Sequence, residues 1–257
     1  MDKKIRECEI EYKKLFCKVE KKENFYRFRD SKLIDMYHHN MVIFETNEIQ
    51  KDELSKLVLK ELILAKQTFD YFLCSFDKII DVDWLENIID NPDISRDGYY
   101  QLDDFQILKQ VSNKDDLHIE KIETKQHLKD FEIFEVENYG DQYGIDFCKR
   151  RVFRYGYKML EDSSLIGWLL YKGKDLIGQC DMFSYKGVVK IENFVIHKSM
   201  RNEGYGTIFL KKVVEKAVEG GFNKVYLVTD EDERAKELYL RLGFKKIEEW
   251  MGVYVRL

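Results

Sequence analysis

The residues best suited to chemistry lie between positions 191 and 244. In Arg201-Asn-Glu-Gly-Tyr-Gly206, two glycines separated by one residue follow a strand-like run, Val188–His197. After them Phe209, Leu210, Val213, Val214, Ala217 and Val218 recur at helical spacing, and Gly220-Gly221 ends the stripe. A strand that turns directly into a helix leaves the first backbone N–H groups unpaired, where the macrodipole favours an anion. Glycine lets the backbone approach that anion closely or adopt positive φ, and Arg201 can add a charge-assisted contact. An ordinary tight turn would show the same two glycines. A Rossmann loop would need a third glycine where Phe209 stands, and a Walker loop would need Gly-Lys-Ser/Thr, which is absent.

Other reactive side chains form weaker constellations. His38 and His39 are adjacent and would point to opposite faces of a strand, so they cannot chelate one ion together. His197 has no cysteine or carboxylate at ligand spacing, and Cys180 reads as a small buried hydrophobe. No metal is expected. Five scattered cysteines without a CxxC pair argue against a disulfide framework or a zinc cage and fit a reducing cytoplasm.

These groups need elements to hold them. Ile166–Tyr171, Leu176–Ser184 and Val188–His197, separated by Lys172-Gly173 and Lys186-Gly187, read as an antiparallel meander. A strand at Leu117–Ile122 and helices over Lys125–Asn138 and Phe147–Met159 precede it, with the aromatic segment from Tyr139 to Gly144 between the helices. Lys224–Thr229 alternates as a strand. Ala235, Leu238, Tyr239 and Leu242 share one helix face ending at Gly243, and Phe244–Leu257 reads as two strands.

Ile191-Glu-Asn-Phe-Val-Ile-His197, Arg201-Asn-Glu-Gly-Tyr-Gly206 and Asp232-Glu-Arg-Ala-Lys-Glu-Leu-Tyr-Leu-Arg-Leu-Gly-Phe244 together resemble the signature segments of the GNAT acetyltransferase superfamily. The resemblance covers roughly Leu117 to Leu257. It implies the mixed α/β fold of acyl-CoA N-acyltransferases, with a V-shaped opening between Val188–His197 and Lys224–Thr229 that takes the pantetheine arm of acetyl-CoA. By the same resemblance, Phe194, Val195 and Ile196 would pair with that arm through their main chain. Arg201, Asn202, Glu203, Gly204, Tyr205, Gly206 and Thr207 would wrap the pyrophosphate. A bulge in the first strand would aim an N–H at the thioester carbonyl.

The family's usual chemistry is direct attack of an amine on acetyl-CoA in a ternary complex. Tyr239 stands where a tyrosine stabilises the departing thiolate; packing on the helix face with Ala235 and Leu242 is the alternative. Glu192 is the candidate general base. Holding a cationic substrate, or serving as a strand-surface carboxylate, are its other readings. Asp232 replaces a common asparagine at a cofactor contact, and Lys198 replaces a common proline.

All 14 glycines lie at or after Gly98. Before it, Ile5, Cys8, Tyr12, Leu15 and Phe16 follow helical spacing, and Phe25–Arg29 and Met36–Phe44 read as strands. A nearly all-apolar helix over Glu53–Ala65, a strand at Tyr71–Phe76, a short helix at Trp84–Ile89 closed by Pro92, and a strand at Tyr99–Leu102 follow. The order repeats that of the second half. Two domains are expected: residues 1–115 as a degenerate GNAT-like copy or scaffold without a phosphate cradle, and 116–257 as the catalytic domain. An unrelated helical cap is the alternative for the first.

The 257 residues suffice for a real core, and the net charge of −5, from 43 basic and 48 acidic residues mixed along the chain, excludes the basic field that nucleic acid needs. No run approaches the ~18 apolar residues of a membrane span, and Met1–Lys14 lacks the apolar run of a signal peptide. The expected activity is N-acetylation of a small-molecule amine or a protein amino group. A noncatalytic acyl-CoA sensor would keep the Arg201–Gly206 loop without needing Tyr239. The acceptor and the oligomeric state leave no motif to read.

Overall fold

The computed structural model describes every residue except Met1, Glu48, Ser112, Asn113 and Asp115. The expected domain boundary between 115 and 116 thus falls at the edge of a residue outside the described set. The chain forms two compact units with interleaved sequences. One comprises Met1–Tyr12, Tyr100–Val228 and Glu237–Lys245; the other comprises Lys13–Tyr99, Thr229–Lys236 and Lys246–Leu257.

The chain opens with α1 (Lys3–Lys14), β1 (Lys18–Lys21), β2 (Phe25–Arg29), β3 (Val42–Phe44), α2 (Lys51–Ala65), β4 (Tyr71–Phe76) and β5 (Asp93–Leu102). It continues with β6 (Leu117–Lys121), α3 (Lys125–Tyr143), α4 (Ile145–Glu161), β7 (Leu165–Lys172), β8 (Asp175–Tyr185) and β9 (Val188–Ile196). It ends with α5 (Tyr205–Glu219), β10 (Val225–Asp230), α6 (Ala235–Arg241) and β11 (Lys245–Arg256).

In the first unit β6, β7, β8 and β9 pair antiparallel in sequence order, and β10 joins β9 in parallel. That change of direction requires a crossover, which α5 supplies. The apolar stripe of α5 explains its placement: Phe209, Leu210, Val213, Val214 and Ala217 are wholly buried against Cys180, Met182, Val189 and Ile191 of the strands. The long helices α3 and α4 break at Gly144, whose φ of 87° ends one and starts the other.

In the second unit β1, β2 and β3 are antiparallel, β4 is parallel to β3 across α2, and β11 pairs antiparallel with β4 from Met251↔Phe76 to Arg256↔Tyr71. Leu54, Val58 and Leu62 of α2 pack with Phe44, Phe72, Phe76 and Val253. The last strand of the chain therefore completes a sheet begun by its first hundred residues.

Several expected elements differ. Met36–Phe44 is not one strand: Tyr37–His39 form a 3-10 turn because the Asn40 amide binds the carbonyls of Leu33 and Met36, and its Oδ1 accepts from Asp30 N–H. Trp84–Ile89 contains only a 3-10 turn at Leu85–Asn87. The α2 helix is not buried all round, since Leu59 and Ile63 are 43% and 52% exposed. Tyr139–Tyr143 continues α3 rather than forming a loop, and Phe244–Leu257 holds one strand, not two.

Candidate active site

Strands β9 and β10 are paired only at Val189, Lys190 and Ile191, opposite Val225, Tyr226 and Leu227. Beyond Ile191, β9 continues for five residues with β8 as its paired neighbour, so the backbone groups of Glu192–Ile196 that point away from β8 face the splay. Phe194, Val195 and Ile196 are half-buried there.

The same stretch carries a bulge. Glu192 pairs with Asp181 and Val195 with Gln179, so Asn193 and Phe194 together face the single residue Cys180. Asn193 sits at φ 51°, a left-handed conformation that asparagine tolerates better than other side-chain-bearing residues. Its side chain is held at both ends: Arg151 donates to Oδ1 at 2.7 Å, and Nδ2 donates to Asp181 Oδ2 at 2.6 Å. Gln179 Nε2 donates to the Asn193 carbonyl at 2.8 Å. Arg151 also pairs with the buried Glu135 of α3. Four residues from three elements thus fix one backbone kink.

Asp181 is 1% exposed, and its Oδ1 has no hydrogen-bond partner. Burial pushes its carboxyl up to about 7, against the opposing pull of Asn193 and Arg151. Tyr12 of α1 approaches its Oδ2 at 3.4 Å. Directly across the ladder, Glu192 pairs with Lys190 at 2.8 Å, and Lys190 pairs with Glu9 of α1 at 2.7 Å. Sequence reasoning singled out Glu192 but missed Asp181, Asn193, Arg151, Lys190 and Glu9. Alternation along β8 and β9 could have placed Asp181, Lys190 and Glu192 on one face, but the partners from α1 and α4 left no local signal.

After β9 the chain makes a 3-10 turn over Lys198–Met200 and enters α5. Arg201 is exposed, and its Nε donates to the Ile196 carbonyl at 3.1 Å, which ties the loop to the end of the strand. Asn202 and Gly204 take φ of 67° and 79°. Gly204 is the N-cap of α5 and no side chain caps the helix, which leaves the first-turn N–H groups open toward an incoming anion. A Cβ at Gly206 would meet Leu238, Ile196 and Phe194 only at ordinary contact distances. Tyr205 is buried with its hydroxyl accepting from Lys172 at 2.8 Å, so only its backbone faces the loop. The Glu203 carbonyl accepts from Lys114, and Thr207 is half-buried in the first turn.

Tyr239 of α6 is 6% exposed in the core formed with Phe209 and Phe244. Burial, with Glu192 and Cys180 adding to it, raises its pKa above the ordinary tyrosine value. It is therefore a neutral hydroxyl able to donate a hydrogen bond. The structure brings Tyr239, Glu192, the bulge and the α5 N-terminus into the first unit. Asp232 belongs to the second, where its carboxylate pairs with Arg96 at 2.9 Å. Cys180 is fully buried and its thiol pKa is pushed up by burial. His39 is buried on Asp30, and among the described residues no cluster of His, Cys, Asp and Glu could hold a metal ion.

Residues 121–244 match the profile of the Acetyltransferase (GNAT) family. No curated protein matches the chain. Among solved structures, a functionally unknown conserved protein from Staphylococcus epidermidis superposes with TM-score 0.75 at 18% identity, covering 93% of each chain. A GCN5-related N-acetyltransferase from Kribbella flavida gives 0.69 at 12% identity, covering 99% of this chain and 96% of its own. A tandem GNAT protein from the clavulanic acid biosynthesis pathway gives 0.58 at 11% identity, covering 90% and 82%. At these identities the likeness is one of fold. Among the described residues no helix is long and apolar enough to cross a membrane.

Proposed function

We propose that this chain, whose residues 121–244 are a GNAT acetyltransferase domain, transfers an acetyl group from acetyl-CoA to a primary amine by direct attack in a ternary complex. The observation that carries this reading is the continuous path from the splay of β9 and β10, past the Asn193–Phe194 bulge, to the uncapped N-terminus of α5. Its parts suit a thioester on a pantetheine arm with a pyrophosphate at the far end.

Acetyl-CoA supplies an activated acyl group and a thiolate leaving group. Phe194, Val195 and Ile196 offer main-chain partners to the arm, and Arg201 to Thr207 offer N–H groups and one guanidinium to the phosphates. A contact at Asp232 would have to compete with Arg96. The Phe194 N–H at the bulge is the oxyanion donor. Glu192 takes the proton lost by the amine, and Tyr239 donates a hydrogen bond to the thiolate. The cluster holds the three carboxylates of Glu9, Glu135 and Glu192 against the two cations Lys190 and Arg151, with Asp181 beside them as a carboxyl that burial pushes up to about 7. That imbalance favours a cationic acceptor, whether a free amine or a protein amino group.

The first half fits a GNAT-like copy that has lost its cofactor. The β2–β3–α2–β4 arrangement repeats that of β8–β9–α5–β10, antiparallel and then parallel across a helix. Where β9 and β10 splay, β3 and β4 are stapled shut: Asp77 accepts from both the N–H and the hydroxyl of Thr46, at 2.8 and 2.5 Å, and Lys78 donates to the Thr46 carbonyl at 3.1 Å. We place the protein in the cytoplasm, in keeping with five free cysteines.

Calorimetric titration with acetyl-CoA tests the cofactor assignment. One equivalent should bind, and Gly204→Val should abolish the heat; unchanged binding in that variant would overturn the loop assignment. A noncatalytic sensor would bind equally well but transfer nothing.

A further inference from the structure

Helix α1 lies outside the segment matched by the acetyltransferase family, yet Met1–Tyr12 belongs to the same compact unit as the site. Its attachment is ionic and specific. Asp2 pairs with Lys224 at 2.5 Å, Glu7 with Lys186 at 2.8 Å, and Glu9 with Lys190 at 2.7 Å. The innermost of these is buried: Glu9 and Lys190 are each 5% exposed at the side chain. The second oxygen of Glu9 accepts from the Tyr226 hydroxyl at 2.9 Å, and the Lys190 ammonium lies 4.9 Å from the Tyr12 ring centre. Lys190 thus stands between two carboxylates, Glu9 on one side and Glu192 at 2.8 Å on the other.

We propose that Glu9 is a positioning residue: through Lys190 it places Glu192 and sets how readily that carboxylate takes a proton. The inference rests on Glu192 being the proton acceptor of the proposed reaction only for its catalytic meaning; the coupling itself is a property of the folded chain. A lone Lys190 would give its whole charge to Glu192 and hold it ionised, a poor base. Glu9 draws off part of that charge. Burial works against the Lys190 charge, but Glu192 and Glu9 together outweigh it and keep the ammonium protonated. Other groups that face Glu192 are Asp181 across the ladder, Tyr12 of α1, Tyr155 of α4 and Tyr239 of α6. None of these four carries a formal positive charge, and the cluster's second cation, Arg151, is engaged by Glu135 and the Asn193 Oδ1. Helix α1 thereby takes a role in the proposed chemistry from outside the matched segment.

The sign of the effect separates this role from a structural one. Glu9→Gln leaves Lys190 uncompensated toward Glu192, so the Glu192 carboxyl should titrate lower. Glu9→Gln combined with Lys190→Met removes the cation as well, so the same carboxyl should titrate higher than in the wild type. Carboxyl carbon NMR of protein labelled at glutamate, with the Glu192 resonance assigned from Glu192→Gln, reads both without any substrate. Shifts of roughly half a pH unit or more in opposite directions are expected, and Glu9→Asp should restore most of the wild-type value. If Glu9→Gln does not fold, Tyr226→Phe, which removes only the hydroxyl that anchors Glu9, should move the titration the same way by less. No movement, or movement in the same direction for both variants, overturns the inference. Failure of the wild-type protein to acetylate benzylamine, putrescine or Nα-blocked lysine would instead overturn the proposed function and leave the NMR result to decide the coupling.

Discussion

The amide of Asn193 donates to Asp181 Oδ2 at 2.6 Å, from a residue whose φ of 51° kinks β9 at the point where it leaves β10. This single bond connects a buried carboxyl to the backbone kink that carries the proposed oxyanion donor. The site's behaviour should follow from it.

Asn193→Gly keeps the left-handed conformation accessible but removes the side chain that joins Arg151 to Asp181. Asn193→Ala removes the same bonds and adds backbone strain of about 1 kcal/mol. Both leave buried polar groups short of partners, at about 1–3 kcal/mol each. The measurement is thermal stability together with turnover. Alanine should be the less stable of the two, and both should lose kcat with little change in KM for acetyl-CoA.

Asp181 gives the protein a pH-dependent stability. Its folded pKa, pushed up to about 7 by burial, lies above the unfolded value of a free aspartate near 4. The folded state therefore holds a proton that the unfolded state releases, and stability is full below about pH 4 and falls as the pH rises through 7. Asp181→Asn abolishes that fall, and its amide oxygen, placed where Oδ2 stands, can still accept from Asn193. Denaturant titrations at pH 5 and pH 8 should show the variant gaining on the wild type by about 1–3 kcal/mol over that interval. An equal difference at both values would contradict the buried, protonated carboxyl.

Tyr239→Phe should reduce kcat by about 10²-fold, as loss of a single charge-stabilising donor does, and leave KM for acetyl-CoA nearly unchanged. The ring is packed in the core with Phe209 and Phe244, so the melting temperature should barely move. Unaltered turnover would return Tyr239 to a packing role.

Asp77→Ala removes the staple between β3 and β4. Two bonds to Thr46 are lost from a buried position, for an expected cost of about 1–3 kcal/mol. Acetyl-CoA stoichiometry should remain one per chain. A second equivalent bound by this variant would show that the staple is what excludes cofactor from the first half.

Much of the site was legible before the fold. The meander, the crossover helix and Arg201–Gly206 each rest on local signals: period-two strands, an i, i+3, i+4 stripe, and glycines where the backbone must turn. Gly204 carries the positive φ, as two glycines in a loop suggest, but Gly206 does not; its position in the first turn of α5 is helical. What local signals missed was the clamp around Asn193. Arg151 reaches it from 42 residues away in sequence, and Glu9 meets Lys190 from 181. No window of sequence contains both partners. The strand expected over Met36–Phe44 failed for a related reason, since the Asn40 side chain satisfies carbonyls that a ladder would have used. Phe244–Leu257, expected as two strands, is the single strand β11; Gly252 lies inside it, where a Cβ would strike the Ser95 hydroxyl.

The central claim, amine-dependent acetyl transfer by the first unit, is tested most directly by following free CoA thiol released from acetyl-CoA as a primary amine is varied. The proposed function predicts thiol release that rises with amine concentration and saturates, with intersecting double-reciprocal lines as a ternary complex requires. Tight binding of acetyl-CoA with no amine-dependent thiol release would contradict it and leave the chain a binder of acyl-CoA.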